Sequence, residues 1–227
     1  MDLKIIYEDA NVIALDKAPY IAVLKEGEEK GETVADLLVK QFPYLKNVER
    51  NGIVHRIDKD TSGLLLVAKN NETFEFLQEQ WKKNIEKRYI ALVSGIIKED
   101  RGKIETLLGR SPQDRRKQKA YPLNEEKQGR RKAETEYFVL KRFKYYTLVE
   151  LHLSTGRKHQ IRAHMANIQH PVVKDKLYSF KNEKVPEGLE RQFLHASFLK
   201  IKMLNGKEKE FKSELPEDLK KVLENLE

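Results

Sequence analysis

Residues 52–69 read GIVHRIDKDTSGLLLVAK. Asp58-Lys59-Asp60-Thr61-Ser62-Gly63, with two carboxylates, two hydroxyls and a glycine, separates two apolar runs. Three simple readings compete for it. As a calcium loop, Asp58, Asp60, Ser62 and Gly63 match positions 1, 3, 5 and 6 of an EF-hand, but Lys69 stands where position 12 requires a bidentate glutamate. The apolar run after Gly63 also reads as a buried strand. As an Asp-x-Asp phosphoryl-transfer site, it lacks a continuous apolar strand before Asp58, and Ser62 stands where a threonine would help. As a turn, its Asp, Thr, Ser and Gly satisfy local backbone donors. A turn accounts for residues 60–63 but leaves Arg56 unexplained. The stretch is expected to form a strand pair. Alternation then sets Val54, Arg56 and Asp58 on one face and Ile53, His55 and Ile57 on the other.

Outward from this stretch, periodicity predicts the remaining elements. LKIIY and VIALD flank Glu8-Asp9-Ala10-Asn11 as a hairpin. ETVADLLVKQFP has helical spacing, with Thr33 as N-cap and Pro43 after its end. TFEFLQEQWKKNI sets Phe74, Leu77, Trp81 and Ile85 on one helical face, and KRYIALVSG follows as a strand ending at Gly95. AETEYFVLKRF and YYTLVELHLSTG read as consecutive strands, and RKHQIRAHMANI as a helix beginning near Gly156. FLHASFLKIKML is a strand turning at Asn205-Gly206, and PEDLKKVLENL a closing helix. The segment from about Ser111 to Gln128 shows no periodicity. Strands outnumber helices and short turns join several of them. That pattern indicates an α+β fold: a mixed, largely antiparallel central sheet flanked by helices.

The chain has 227 residues, 39% of them hydrophobic, and no apolar run approaches the ~20 residues of a membrane span. Its first residues lack the pattern of a signal peptide. A soluble, cytoplasmic protein is expected. There is no cysteine, which excludes disulfides and thiolate metal sites. The net charge of +8 favours polyanionic partners. The excess concentrates between Arg110 and Lys132, where Arg110, Arg115, Arg116, Lys117, Lys119, Lys127, Arg130, Arg131 and Lys132 face only Asp114, Glu125 and Glu126. That segment reads either as a solvated loop or as a phosphate-binding surface.

HRIDKDTSGLLLVAK resembles the signature of the RluA-like pseudouridine synthases. EDANVIALDKAP, EKRYIALVSG, GRSPQDRRKQKAYP with RRKAETEYFVL, LSTGRKHQIRAHM, HPVVKDKLY and RQFLHASFLKI resemble further motifs of that family, in order along nearly the whole chain. Two positions depart from the pattern. Ala18-Pro19-Tyr20-Ile21 follows Lys17 where the family has Pro directly and a Gly soon after, and Lys174-Asp175 stands where it has Gly-Asp. Many relatives carry an N-terminal S4-type RNA-binding domain. This chain starts at the hairpin, so a single catalytic domain over residues 1–227 is expected to bind RNA by itself.

The resemblance implies isomerisation of uridine to pseudouridine in structured ribosomal or transfer RNA, with no cofactor and no metal. It assigns Asp58 as the catalytic carboxylate, Tyr89 as the active-site tyrosine and Arg162 as the cation beside Asp58, with Arg157 in reserve. Arg56 is expected to fill the space left by the flipped base, and Leu194 to touch that base. Arg157 and Lys158, near the start of their helix, and Arg115, Arg116 and Lys117 are expected to hold RNA. His55 is given a structural role. A monomer is expected, with neither DNA nor membrane as partner and a site in a basic cleft. The alternative is an RNA-binding or chaperone protein of the same fold that has lost catalysis.

Overall fold

The computed structural model describes residues 2–25, 31–83 and 85–226. Among them the chain forms ten strands and four α-helices: β1 (Ile5–Glu8), β2 (Val12–Lys17), α1 (Val34–Gln41), β3 (Ser62–Ala68), α2 (Asn71–Lys83), β4 (Glu86–Ser94), β5 (Arg101–Arg110), β6 (Gln118–Tyr121), β7 (Arg131–Arg142), β8 (Tyr146–Leu153), α3 (Gln160–Asn167), β9 (Leu194–Lys202), β10 (Glu208–Lys212) and α4 (Glu217–Glu224). They gather into two compact units, Met1–Glu86 with Ala196–Glu214, and Lys87–His195 with Leu215–Glu227. Among the described residues no helix is long and apolar enough to cross a membrane.

In the first unit the strand order is β1-β2-β3-β9, and β10 also pairs with β9. The β1–β2, β2–β3 and β9–β10 pairs are antiparallel, with Val12 opposite Ala68 and Lys17 opposite Gly63. β3 is buried along its whole length, as its unbroken apolar run requires. Asp9 closes the first hairpin by accepting from the backbone N–H groups of Asn11 and Val12 at 2.8 Å. The Thr33 cap of α1 is a full capping box with Asp36. Gly63 carries φ +109, and a Cβ there would lie 2.2 Å from the Ala196 carbonyl oxygen. Only glycine lets β9 approach β3 so closely.

In the second unit the order is β4-β8-β7-β5-β6, and the β4–β8, β7–β8, β5–β7 and β5–β6 pairs are antiparallel. Both faces are covered, which is why β4 is apolar in continuous run. Ala91, Val93, Val149 and Leu151 pack with Ile161 and Met165 of α3, while Leu92, Phe143 and Phe193 pack with Leu219 and Val222 of α4. The α+β class and the largely antiparallel pairing are as expected.

Four local expectations are corrected. Residues 54–58 are not a strand: beyond an isolated bridge from Ile53 to Val67, this arm leaves the ladder, so the alternation that joined Arg56 to Asp58 loses its basis. The turn is also shorter, since Ser62 and Gly63 already belong to β3. The helix after Gly156 begins at Gln160, because His159 takes a left-handed conformation with φ 52 and blocks an earlier start. Finally, the aperiodic segment contains β6, and β5 precedes it unannounced by periodicity.

His164 of α3 is fully buried, with Nδ1 2.9 Å from Thr135 Oγ1 on β7 and Nε2 3.0 Å from Thr106 Oγ1 on β5. Burial lowers its pKa from 6.5 to about 4. An unfolded imidazole takes a proton near pH 6.5 and the folded one only near 4, so stability falls as pH drops through that interval. The loss attributable to this residue approaches about 3 kcal/mol. His164→Gln is expected to show a visibly shallower decline in urea-unfolding free energy between pH 7 and pH 4. Lys174 sits at φ 61, where its Cβ is strained. Lys174→Gly is expected to raise the melting temperature, by about 0.5 kcal/mol of stability; a lowered melting temperature would contradict strain at this position.

Candidate active site

Asp58 lies at the end of the arm that residues 53–58 form outside the ladder. Side chains replace the missing strand bonds. The Leu66 N–H of β3 donates to His55 Nε2 at 2.9 Å, and Gln78 of α2 donates to the Val54 carbonyl. The His55 ring stacks on Trp81 of the same helix, with centroids 4.0 Å apart and planes 18° apart. The structural role expected of His55 is therefore borne out, and its Nε2 must be unprotonated to accept. Beyond the arm, the Thr61 N–H donates to the Asp58 carbonyl at 3.1 Å. Thr61 and Ser62 are buried, Asp58 half-buried and Arg56 exposed.

Lys17 supports the same turn. Its side chain is buried, and Nζ donates to the carbonyls of Ala18 at 2.7 Å and of Ile21 and Lys59 at 3.0 Å. This ammonium ties the residue next to Asp58 to the end of β2. Sequence reading treated Lys17 only as the place where the pattern departs. A lysine followed by a proline two residues later carries no visible sign that its charge is turned inward.

In the second unit the segment STGRKHQIRAH folds so that almost every polar side chain has a structural partner. Gln160 is buried; its Oε1 accepts from Thr155 Oγ1 at 2.8 Å and from the Arg157 N–H at 3.0 Å. Its Nε2 donates to the Glu134 carbonyl at 2.8 Å and to Thr135 Oγ1 at 3.0 Å. Arg162 donates from Nε to Asp175 Oδ2 at 2.6 Å and from Nη2 to Asp175 Oδ1 at 2.8 Å. The two side chains are 7% and 0% exposed, so the pair is interior. Tyr178 lies over the guanidinium, 5.2 Å from ring centroid to Cζ. Arg157 and Lys158 are exposed and precede α3 rather than opening it, and Arg157 Nε donates to the Lys132 carbonyl at 3.0 Å.

Tyr89, on β4 opposite Leu151, and Leu194, at the start of β9, border one apolar cluster with Ile161 and Met165. Leu194 is only 3% exposed. Two residues before Tyr89, Lys87 is buried, and burial followed by the charge of Arg157 lowers its pKa to about 8. The basic segment is less uniform than its composition. Arg116 folds back on Asp114 through Nε and Nη2, at 3.0 and 2.8 Å, and holds that carboxyl well below the usual range. Arg130 pairs with Glu125 at 2.9 Å and lies over the Tyr121 ring. Arg115 remains exposed, and Lys117 stands 5.9 Å from the Tyr178 ring centroid.

The profile of the RNA pseudouridylate synthase family matches residues 11–167. An uncharacterized RNA pseudouridine synthase of Aquifex aeolicus is 41% identical over 193 residues, and the match spans 82% of this chain and 59% of that protein. The uncharacterized RNA pseudouridine synthase YlyB of Bacillus subtilis is 39% identical, over 100% of this chain and 73% of its own length. Ribosomal large subunit pseudouridine synthase D of Haemophilus ducreyi is 35% identical, over 99% and 70%. Among solved structures, human RNA pseudouridylate synthase domain containing 1 superposes with a TM-score of 0.75 at 26% identity, over 95% of this chain and 84% of that one. The match of the family profile and the identity to YlyB along the full chain agree: this chain belongs to the RNA pseudouridylate synthase family, isomerases that act on uridine in RNA.

Proposed function

We propose that the chain converts uridine to pseudouridine in folded ribosomal or transfer RNA, with Asp58 as its catalytic carboxylate. The observation that carries the reading is the support given to one short turn. His55, Gln78 and Lys17 spend buried or half-buried polar groups on holding the backbone around Asp58. Arrangements of that kind fix a reacting group to the tolerance that catalysis needs. In the reaction the C1′–N1 bond breaks, the base turns and a C1′–C5 bond forms. C5 gives up its hydrogen and N1 gains one, so the change is an isomerisation without an electron acceptor. Asp58 either attacks C1′ or removes a sugar proton to give a glycal.

In this reading Arg162 is the cation that keeps the Asp58 carboxylate charged in a dry pocket, with Arg157 as the alternative. Tyr89 stacks on the uracil and serves proton transfer at C5. Leu194 contributes apolar surface against the base, and Arg56 occupies the space left when the nucleotide flips out. Arg157, Lys158, Arg115 and Lys117 contact phosphate. Arg116, already committed to Asp114, contributes less than sequence reading assigned to it. The chain acts as one catalytic domain, as a monomer in the cytoplasm, with neither metal nor cofactor.

RNA labelled with tritium at uridine C5 tests the chemistry. Wild-type protein is expected to release the label, and Asp58→Ala to slow release by roughly a thousandfold or more. Release that survives in Asp58→Ala would remove Asp58 from the mechanism, and no release from wild-type protein on any folded RNA would favour a binding-only protein. Salt dependence tests the surface. The logarithm of RNA affinity is expected to fall steeply with the logarithm of salt concentration. Arg115→Ala and Lys117→Ala should each flatten the slope by about one, and Arg116→Ala by clearly less. Equal changes for all three would contradict the distinction drawn from the Asp114 pair.

A further inference from the structure

We propose that the loop from Lys174 to Glu183 is a second RNA-contact element, on which Phe180 stacks an unpaired base and the neighbouring lysines meet its flanking phosphates. The inference rests on the reading that the chain works on folded RNA, and it concerns the second unit alone. The loop leaves the core after Val173, whose N–H donates to the Leu92 carbonyl of β4 at 2.9 Å. Its two ends meet. The Lys174 N–H donates to Glu183 Oε2 at 2.9 Å, and Ser94 Oγ at the end of β4 donates to Glu183 Oε1. A surface excursion closed at its neck in this way is an Ω-loop, a form that frequently carries function. Within it, Asp175 Oδ1 accepts from the N–H groups of Leu177 at 2.8 Å and Tyr178 at 3.1 Å, and Tyr178 Oη accepts from the Gln118 N–H of β6 at 2.6 Å. The Glu183 N–H closes a turn on the Phe180 carbonyl at 3.2 Å. The backbone is therefore braced on both sides of Phe180.

The loop sorts its charges. Both carboxylates turn inward, Asp175 to Arg162 and its own turn, Glu183 to the neck. Lys176, Lys181 and, one residue past the neck, Lys184 are exposed. Lys184 Nζ lies 3.9 Å from the ring centroid of Tyr145, itself exposed in the turn between β7 and β8. Phe180, next to Lys181, is 46% exposed. An apolar ring in water needs no explanation by itself. This ring stands on a braced turn, with lysines before and after it and the carboxylates of its loop turned away. That is the chemistry of a single-strand site: an aromatic face for a base and cations for the phosphates beside it. Every base has a π-face, so such a platform accepts unpaired nucleotides with little regard to sequence, whereas the faces of paired bases are covered within the helix. An acidic peptide would satisfy the lysines but would give the ring no planar partner.

The test compares the affinity of the full chain for two probes, a hairpin RNA with an unpaired purine-rich loop and a blunt RNA duplex of the same length. Phe180→Ala is expected to weaken hairpin binding about tenfold and duplex binding by less than about twofold. Phe180→Trp should restore hairpin affinity, and the hairpin, unlike the duplex, should quench the added fluorescence. Wild-type protein, whose only tryptophan is Trp81, supplies the baseline. Lys181→Ala should flatten the salt dependence of hairpin binding by about 0.7. Wild-type hairpin affinity in Phe180→Ala, or equal losses on both probes, overturns the proposal. If Phe180→Ala does not fold, Phe180→Trp carries the test: quenching by the hairpin alone supports the platform, and no quenching, or equal quenching by both probes, overturns it. Unchanged RNA affinity in Phe180→Ala with lost binding of polyglutamate would assign the loop to an acidic protein partner and overturn the RNA reading of it. These outcomes are read by binding, so they are separate from the Asp58 chemistry. Wild-type protein that binds the hairpin but releases no tritium from C5-labelled RNA counts against catalysis and leaves the comparison of Phe180 variants decisive.

Discussion

A guanidinium taken out of water has to be met by a carboxylate in matching geometry, and in this chain the Arg162–Asp175 pair satisfies that demand inside the second unit. Much of the neighbourhood follows from it. Asp175 can accept from Arg162 only because the chain reverses at Lys174, and the reversal is held by Glu183. Burial raises the pKa of Glu183, a tendency that its bonds from Ser94 and Lys174 oppose. α3 must in turn present Arg162 at the right height. His164 and Gln160 set that height by joining the helix and its approach to Thr106, Thr135 and the Glu134 carbonyl. Arg162, Asp175, Gln160, His164, Thr106 and Thr135 are buried, so each would cost free energy if its partner were lost.

The first unit solves a related problem by pairing side chains with backbone. An arm that leaves a sheet exposes backbone donors and acceptors, and such groups must be paired when buried. The chain pairs them with His55, Gln78 and the Lys17 ammonium. The result is a short segment free of ladder geometry but no less fixed in place. Asp58 can then stand at an angle that a regular strand would not allow.

Most elements were legible because hydrophobic periodicity reports burial directly. The hairpin of β1 and β2, the Thr33 cap, the alternation of Val149, Leu151 and Leu153, and the turn at Asn205-Gly206 all follow from local chemistry. The arm at 54–58 was misread for the same reason. Its residues alternate in a way that satisfies a strand, and nothing local reveals that an imidazole will replace the neighbouring backbone. The pairing of Arg116 with Asp114 is not visible in a count of charges. Asp175 and Lys17 carry no signal of their own, since their partners are fixed by tertiary folding: Arg162 lies on a helix thirteen residues away, and the Lys59 carbonyl forty-two. Family resemblance marked the motifs but not which of their residues hold the others.

The close approach of Ala196 to Gly63 has a consequence in time as well as space. The first unit is assembled from Met1–Glu86 and Ala196–Glu214, so β3 lacks its neighbour β9 until most of the polypeptide exists. Closing so long a loop is entropically slow compared with forming the β1–β2 hairpin. On the ribosome, the strand that follows Asp58 would wait with one edge unpaired while the intervening unit is synthesised. The Asp58 turn is thus among the first parts of the molecule to be made and among the last to be completed.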